Sequence, residues 1–398
     1  MRICLVSSGL NEPNRRLQPW RYLLDAAQTL SCQGHEVRLI SDGCPALPSR
    51  DELEHLPVSR NRRLQGWGIH RDTVEAVRSA RPDQVLWHVG WTSLPRLRAL
   101  VEIDVPVTGL LTSPIYRPGE LLRLGLRRLL CGSSLSAVHL LGLGVPRRAI
   151  RRVFDQGWLQ GAIVECETTR QRAVEGGVPA DRVRVIRPAI SPAWFEARRT
   201  LAEKAQVRAG LGLRADDVVV GYFGPPVALR GLPDVIRAVS LARERDPRIK
   251  LLALARQRQE SGRAGCAVRR LADQLGGEGW LRLESGMLPR DGLMSRLGAC
   301  DLVALPFHLV PSDVPLSVLE AMALGMPVIV TEVACLPELV GTADLCVPQV
   351  DIPSLAGAIW ALAANKEYRC DLGKRARDRA SEWCGQGLNT GNWNDVLG

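Results

Sequence analysis

The sequence predicts an α/β protein of two doubly wound domains, each with a parallel sheet covered by helices. Three observations predict this fold class. Short apolar runs alternate with amphipathic segments, which is the rhythm of βαβ units. The rhythm starts twice, first with RICLVSS at the N-terminus and again with VVVGYFG at 218–224. The chain also has 398 residues, more than one hydrophobic core usually organises.

The first round of this rhythm supplies the N-terminal domain. Its helices are expected near 20–32 and 72–80, and its predicted strands are RICLVSS, EVRLIS, QVLWHV and VPVTGLL. Two prolines in IRPAISPAWF mark a linker near 187–192, because proline interrupts regular elements. We therefore assign residues 1–190 to this domain.

The second round supplies the C-terminal domain, residues 191–375. Helices are expected near 232–244 and 265–275, between the predicted strands VVVGYFG, KLLALA, LRLES, LVALPF and PVIVTE. The run YRCDLGKRARDRASEW predicts a last helix. Residues 376–398 are therefore expected to form a C-terminal helix and tail.

The stretch PSDVPLSVLEAMALGMPVIV at 311–330 has the pattern of a phosphate-binding corner. Pro315 is expected to open a helix, Gly325 and Pro327 to end it, and Val328 to begin a buried strand. Ligands of open parallel sheets bind at the carboxyl ends of the strands. The loops that follow the strands of both domains should therefore line a cleft between them.

Composition excludes several classes of protein. With 46% apolar and 24% charged residues, the chain is neither disordered nor fibrous. No apolar run reaches the length of a membrane span, and the N-terminal run is too short for a signal peptide, so a cytoplasmic location is expected. The eleven cysteines are scattered without CxxC pairs, which favours free thiols and gives no zinc site.

The net charge of +10 favours anionic partners such as nucleotides, sugar phosphates or acidic lipid headgroups. Nucleic acid is not expected as a partner. The arginines are spread along the chain, without the interleaved aromatic platform or the zinc-finger spacing of nucleic-acid-binding proteins.

Four stretches of sequence carry a resemblance to a known family. They are MRICLVSSG with GHEVRLIS, the segment AIVECETTRQRAVEGGVPADRVRVIRPAISPAWF, YFGPPVALRGLPDVIRAV, and LEAMALGMPVIVTEVACLPELVG. In order and spacing they resemble the retaining family 4 glycosyltransferases of the GT-B fold over nearly the whole chain. The resemblance implies two Rossmann-like domains whose parallel sheets face a central cleft. It also implies that residues 376–398 cross back to the N-terminal domain.

The resemblance implies a role for each residue that matches the family's donor site. Glu320 would accept hydrogen bonds from the ribose hydroxyls, the backbone amides of Leu316 and Ser317 would meet the diphosphate, and Arg230 would contact a phosphate. The backbone at Gly286 and Met287 would hold the base. The full set of expected donor-binding residues is Gly224, Arg230, Gly286, Met287, Val314, Pro315, Leu316, Ser317 and Glu320.

Several positions depart from the family pattern. Ser312 stands where the signature has its first glutamate, Pro225 replaces a phosphate-binding arginine, and Thr112 stands at the position of a histidine near the sugar. A glycine pair after the first strand is replaced in the region of Leu17 and Gln18, and Arg15 and Arg16 could add charge there. The candidate catalytic residues are His88, Thr112, Ser312 and Asp313, with His308 as a further proton donor.

Two explanations of these departures stay open. In one, the chain is an active transferase in which neighbouring groups replace the missing ones and Arg230 stabilises the departing diphosphate. In the other, it is a non-catalytic GT-B-like protein that binds a nucleotide or a partner glycosyltransferase. A sugar-nucleotide epimerase is a third class, less favoured. Ser312 and Asp313 could also cap the following helix, and His88 could be a hydrogen-bonded histidine at the end of a strand.

The expected partners are a nucleotide-sugar donor and a saccharide, lipid-linked or small-molecule acceptor. No cofactor and no metal are expected, because the sequence has no paired aspartates and its basic groups can balance the diphosphate. The segment 116–145 combines leucines on one helical face with clustered arginines, which is typical of an interfacial basic helix. It predicts peripheral contact with the inner face of the membrane, the alternative being an ordinary packed helix.

Overall fold

The computed structural model describes residues 1–10, 18–41, 54–57, 69, 71–125, 147–197, 201–256, 262–310, 312–385, 393 and 397. The predictions for Arg15, Arg16 and Leu17 and for 126–145 concern residues outside these ranges. In the described parts the chain forms two separate sheets, and every strand pairing within them is parallel.

The first sheet belongs to the N-terminal domain and has the strand order β3-β2-β1-β4-β5-β6-β7. Its strands are β1 (Arg2–Ser7), β2 (Glu36–Ser41), β3 (Glu54–Pro57), β4 (Gln84–His88), β5 (Val107–Leu111), β6 (Gly161–Val164) and β7 (Val183–Val185). The helices described in this domain are α1 (Trp20–Cys32), α2 (Arg71–Ala80), α3 (Pro118–Leu122), α4 (Arg147–Asp155) and α5 (Glu167–Glu175), with a 3-10 helix at Trp91–Glu102.

The second sheet belongs to the C-terminal domain and has the order β10-β9-β8-β11-β12-β13. Its strands are β8 (Val218–Gly224), β9 (Ile249–Ala255), β10 (Leu281–Ser285), β11 (Leu302–Leu305), β12 (Val328–Thr331) and β13 (Cys346–Val347). The helices of this half are α6 (Ala193–Glu196), α7 (Leu201–Gly210), α8 (Leu232–Arg243), α9 (Gly262–Gln274), α10 (Arg290–Leu297), α11 (Leu316–Ala323), α12 (Leu336–Val340), α13 (Ile352–Ala364) and α14 (Lys366–Gly385).

Both sheets confirm the predicted fold class. In each, the chain starts with a central strand, builds outward to one edge, and then returns to build the other side. This reversal creates a crevice at the carboxyl ends of β1 and β4 and another at those of β8 and β11. The corner at 311–330 also forms as expected, because α11 follows Pro315 and β12 begins at Val328.

The end of the chain joins the two halves. Helix α14 packs on α11, where the Arg377 guanidinium donates to the carbonyl oxygens of Ala323 and Phe195. The predicted boundary between 375 and 376 falls inside this continuous helix, so it does not separate two structural units. Beyond the helix, Trp393 and Leu397 are buried in the core of the N-terminal domain.

The described part of the predicted basic helix is short. Helix α3 ends at Leu122, where Leu121 is buried and Leu122 is 76% exposed. The buried Glu120 accepts a hydrogen bond from the backbone N–H of Arg117, which orders the first turn. Among the described residues, no helix is both long and apolar enough to span a membrane.

Candidate functional site

A pocket of about 670 Å³ lies between the domains, at the carboxyl ends of the strands of the second sheet. Gln18 and Arg21 at the start of α1 form its N-terminal wall. The loops after β8, β9, β10 and β11 and the first turns of α11 form the rest. The lining residues are Gln18, Arg21, Phe223, Gly224, Pro225, Arg230, Leu254, Arg256, Glu284, Ser285, Gly286, Met287, Leu288, Leu293, Arg296, Phe307, Ser312, Pro315, Leu316, Ser317 and Glu320.

The N-terminus of α11 opens into this pocket. Pro315 is the N-cap residue, and it makes no side-chain capping hydrogen bond within the described structure. Leu316 and Ser317 in the first turn line the pocket, while Val318 and Met322 are buried in the core and fix the helix. The first backbone N–H groups of a helix lack partners within it and carry a partial positive charge. This wall of the pocket is therefore suited to an anion.

Glu320 lies on the same wall, one turn further along α11. Burial raises the pKa of its carboxyl group to about 7, against the opposing effects of Arg21 and Arg256. One guanidinium nitrogen of Arg21 lies 3.8 Å from Glu320 Oε1, across the boundary between the domains. The carboxylate can thus accept hydrogen bonds from a ligand in the pocket.

Arg230 places a half-buried cation beside the same wall. It ends a single 3-10 turn after β8, and its guanidinium stacks on the Phe307 ring at 4.9 Å. Burial lowers its pKa to about 10, so it stays positively charged at neutral pH. The following Gly231 has φ of +81°, and a Cβ atom there would lie 2.3 Å from the Pro306 carbonyl oxygen, so this turn requires glycine.

The far end of the pocket combines backbone with apolar side chains. The backbone N–H of Gly286 donates to the Ala255 carbonyl at 3.1 Å, and Met287 is 63% exposed at the rim. Leu288 and Leu293 supply apolar surface. This arrangement offers apolar contact to a flat group, such as a nucleotide base, beside a loop whose backbone is held against the end of β9.

The pocket brings together most of the predicted donor-binding residues and one predicted catalytic residue. These are Gly224, Arg230, Gly286, Met287, Ser312, Pro315, Leu316, Ser317 and Glu320. The Ser312 hydroxyl donates to the Val314 carbonyl at 3.4 Å and does not cap α11. The expectation that Ser312 acts as a cap is corrected by the position of Pro315.

His88 and Thr112 contact each other but do not line the pocket. His88 Nε2 and the Thr112 hydroxyl are 2.8 Å apart, and His88 Nδ1 lies 3.2 Å from the Ser7 hydroxyl. Burial lowers the pKa of His88 to about 4, so its imidazole is neutral at physiological pH. Of the two predictions for His88, its position agrees with a hydrogen-bonded histidine at the end of a strand.

Asp313 joins the domains instead of facing the pocket. Its fully buried carboxylate accepts hydrogen bonds from the backbone N–H of Glu165, at 3.0 Å, and from the Thr169 hydroxyl in α5. Its own N–H donates to the Thr112 carbonyl at 2.7 Å. Burial raises the pKa of Asp313 to about 7. We therefore correct the expectation that Asp313 replaces a catalytic carboxylate or caps α11.

The expectation that Val314 binds the donor is corrected as well. Its N–H donates to Glu165 Oε2 at 2.9 Å, and it does not line the pocket.

Glu338 accepts hydrogen bonds from the N–H groups of Glu167 and Thr168. We call Glu120, Glu165, Asp313 and Glu338 the carboxylate contact: each accepts hydrogen bonds from backbone N–H groups across the domain boundary.

The positions of other residues also bear on the sequence predictions. His308 Nε2 lies 2.6 Å from the Asp234 carboxylate in the interior and does not line the pocket, so it is not near the cleft as expected. Sequence reasoning missed Arg21, Arg256, Glu284 and Arg296. Arg256 had a usable signal, because it directly follows the apolar run of β9, where ligand-binding residues occur.

The described residues offer no candidate metal site. Among the residues that the structure describes, no group of three or more His, Cys, Asp or Glu side chains is arranged to hold a metal ion.

Comparison with known proteins extends these observations. Residues 217–365, most of the C-terminal domain, match the family described as glycosyl transferases group 1. The C-terminal domain is thus similar to the group 1 glycosyltransferases. D-inositol 3-phosphate glycosyltransferase of Saccharomonospora viridis is 31% identical over 216 residues, 51% of this chain and 47% of the relative. The corresponding enzyme of Kribbella flavida is 30% identical over 52% of this chain and 48% of its own. The chain thus spans about half the length of these curated relatives.

Solved structures confirm the GT-B fold over the whole length. Sucrose-phosphate synthase from Thermosynechococcus elongatus superposes with a TM-score of 0.73 at 18% identity, covering 100% of this chain and 98% of that one. Anabaena HepE in complex with UDP and glucose gives 0.71 at 15% identity, with the same coverage. At this identity the likeness concerns the fold alone.

Proposed function

We propose that this chain is a glycosyltransferase that takes a nucleotide-diphosphate sugar as donor and transfers the sugar to an acceptor with retention of configuration. The observation that supports this most directly is the pocket, where the uncapped start of α11, Arg230 and Glu320 share one wall. Helix N-termini and arginines bind phosphate oxygens, and a carboxylate accepts hydrogen bonds from ribose hydroxyls. The UDP complex of Anabaena HepE, a protein of the same fold, is in keeping with such a donor.

The chemistry proposed for this wall is electrostatic. When the bond to the sugar breaks, negative charge grows on the departing diphosphate. Arg230, Leu316 and Ser317 line the pocket, so we expect the guanidinium and the two backbone amides to stabilise this charge with little rearrangement. Neither a metal nor another cofactor is part of the proposal.

The proposal also includes the acceptor and the side from which it enters. A saccharide, a lipid-linked sugar or a small molecule would enter from the N-terminal domain, on the side of Gln18 and Arg21. A cytoplasmic location and contact of the segment 116–145 with the inner face of the membrane are predictions from the sequence.

Isothermal titration with UDP, GDP, ADP and dTDP tests the donor site. We expect one nucleotide to bind, and Glu320→Ala and Arg230→Ala each to weaken it by roughly ten- to a hundredfold, as expected for a lost charged hydrogen bond. Glu244→Ala and Arg282→Ala, at exposed positions outside the pocket, are the matched controls. Absence of binding to all four nucleotides would contradict the proposal.

One observation favours a second candidate, a non-catalytic nucleotide-binding protein. Three of the four predicted catalytic residues, His88, Thr112 and Asp313, are engaged in internal hydrogen bonds away from the pocket. Incubation with the nucleotide sugar that contains the bound nucleotide distinguishes a transferase from a non-catalytic binding protein. Release of the nucleoside diphosphate in the presence of an acceptor supports transfer, and NMR of the product gives its anomeric configuration. Binding without turnover across an acceptor panel supports the second candidate, and a changed sugar without acceptor indicates an epimerase.

A further inference from the structure

Arg256 lines the pocket at the carboxyl end of β9, and the proposed function gives it no role. It follows the last residue of β9, and its backbone N–H donates to the Gly224 carbonyl at 2.9 Å. This bond holds the start of its loop against the end of β8, the neighbouring strand. The side chain of Arg256 lines the pocket together with Arg230, in the turn after β8, and Glu320, in the helix after β11.

The charge of the lining indicates what this pocket accommodates. Among the described residues, four arginines and two glutamates line it, namely Arg21, Arg230, Arg256, Arg296, Glu284 and Glu320. Glu284 contacts Arg296, and Glu320 lies 3.8 Å from Arg21. With two more arginines than glutamates, this part of the lining suits the dianionic diphosphate of a nucleotide sugar.

The effects of Arg256 on two neighbouring side chains indicate its position within this lining. Its charge lowers the pKa of Arg230 on one side and that of Glu320 on the other, so its guanidinium lies close enough to act on both. Two neighbouring arginines that repel each other are both stabilised by an anion that contacts them together. Glu320 marks the ribose end of the expected donor, and Arg230 the phosphate end.

We propose that Arg256 is a second phosphate-binding cation of this pocket, which contacts the donor's diphosphate on the side next to the ribose while Arg230 contacts it from the opposite side. The inference rests on the proposed function and assigns a further residue to the same site. It also accounts for Pro225, which lies in the same lining and leaves its position without a cation. A residue of the next strand, β9, supplies the charge instead.

The test compares Arg256→Gln and Arg256→Lys with wild type, using UDP, GDP, ADP and dTDP and the nucleoside of whichever base binds. Titration calorimetry measures the affinity for the diphosphates, and ligand-observed NMR measures the affinity for the nucleoside. Arg248→Gln is the matched control, since Arg248 precedes the opposite end of the same strand and pairs with Asp246. Thermal unfolding of each variant checks that the fold is retained.

We expect Arg256→Gln to weaken binding of the diphosphate by about ten- to a hundredfold, because a charged hydrogen bond to phosphate is lost. Binding of the nucleoside should weaken by less than about twofold. Arg256→Lys should recover part of the loss, and Arg248→Gln should bind as wild type does. Equal losses for diphosphate and nucleoside, or no loss at all, would overturn the role of Arg256 while leaving the donor site intact. If wild type binds none of the four diphosphates, the proposed function fails and this inference with it.

Discussion

In the pocket, arginines face an open cavity; in the carboxylate contact beside it, acidic side chains face backbone N–H groups. Both regions bury charge at the boundary between the domains. Arg230 and Arg256 converge on a space large enough for a ligand, whereas Asp313 and Glu338 are bonded to the start of α5. The difference indicates a division of tasks: the pocket keeps positive charge for an anionic ligand, and the carboxylate contact holds the two sheets in the orientation that forms the pocket.

Asp313 and Glu320 sharpen this comparison, because they lie seven residues apart in one segment. Burial raises the pKa of both to about 7. Asp313 is enclosed by α5 and the strand end before it, while Glu320 borders the cavity. Replacing the first should therefore affect stability, and replacing the second should affect ligand binding.

The largest effect on stability is expected from Asp313→Ala. It leaves the buried N–H of Glu165 and the hydroxyl of Thr169 without their acceptor, which should lower the free energy of unfolding by about 3 kcal/mol. Urea denaturation followed by circular dichroism measures the change. Asp291→Ala is the matched control, because Asp291 is an aspartate whose side chain is 94% exposed. A change in stability no larger than that of the control would mean that the carboxylate contact does not hold the domains together.

A smaller effect, and one that depends on pH, is expected at Glu320. Folding raises its pKa from 4.5 to about 7, so the folded state binds a proton more readily than the unfolded one. The stability contributed by this group is present below about pH 4.5 and is lost as pH rises through 7. From pH 5 to 8, wild type should therefore lose about 2 kcal/mol more than Glu320→Gln does. Parallel stability curves for the two proteins would contradict the raised pKa, and with it the buried position of this carboxylate beside Arg21 and Arg256.

The smallest effect is expected from Glu338→Gln. A glutamine keeps one acceptor oxygen but loses the charge at the N-terminus of α5, which should lower the free energy of unfolding by about 1 kcal/mol. Amide hydrogen exchange at Glu167 and Thr168 should become faster, since their N–H groups donate to this carboxylate. Nucleotide affinity should stay the same. A loss of affinity without faster exchange would place Glu338 with the pocket rather than with the carboxylate contact.

The residues that line the C-terminal wall of the pocket were largely predictable, because their positions depend on local sequence. Pro315, Gly325 and Pro327 determine where α11 begins and ends, so the side chains of its first turns could be assigned to the cleft in advance. Arg230 and Gly286 were predictable for a similar reason, since each follows a strand. Arg256 follows a strand as well, but only the structure showed that its loop lies beside Gly224.

The catalytic predictions were less successful, because they depended on which side of a short loop each side chain faces. Ser312 and Asp313 are adjacent, yet Ser312 lines the pocket and Asp313 points into the other domain. Sequence spacing alone gave them the same role. The partner of Asp313, Glu165, lies 148 residues away and carries no local pattern that links the two.

The sequence by itself determined the two parallel sheets, the position of α11 and the residue types of the donor wall, because apolar periodicity and proline and glycine positions act over a few neighbouring residues. The tertiary structure decided that Arg21 and Arg256 share the pocket with Glu320, and that Asp313 and Glu165 join the domains. Those pairings depend on how the two sheets meet, which brings together residues far apart in the chain, so no local pattern of the sequence indicates them.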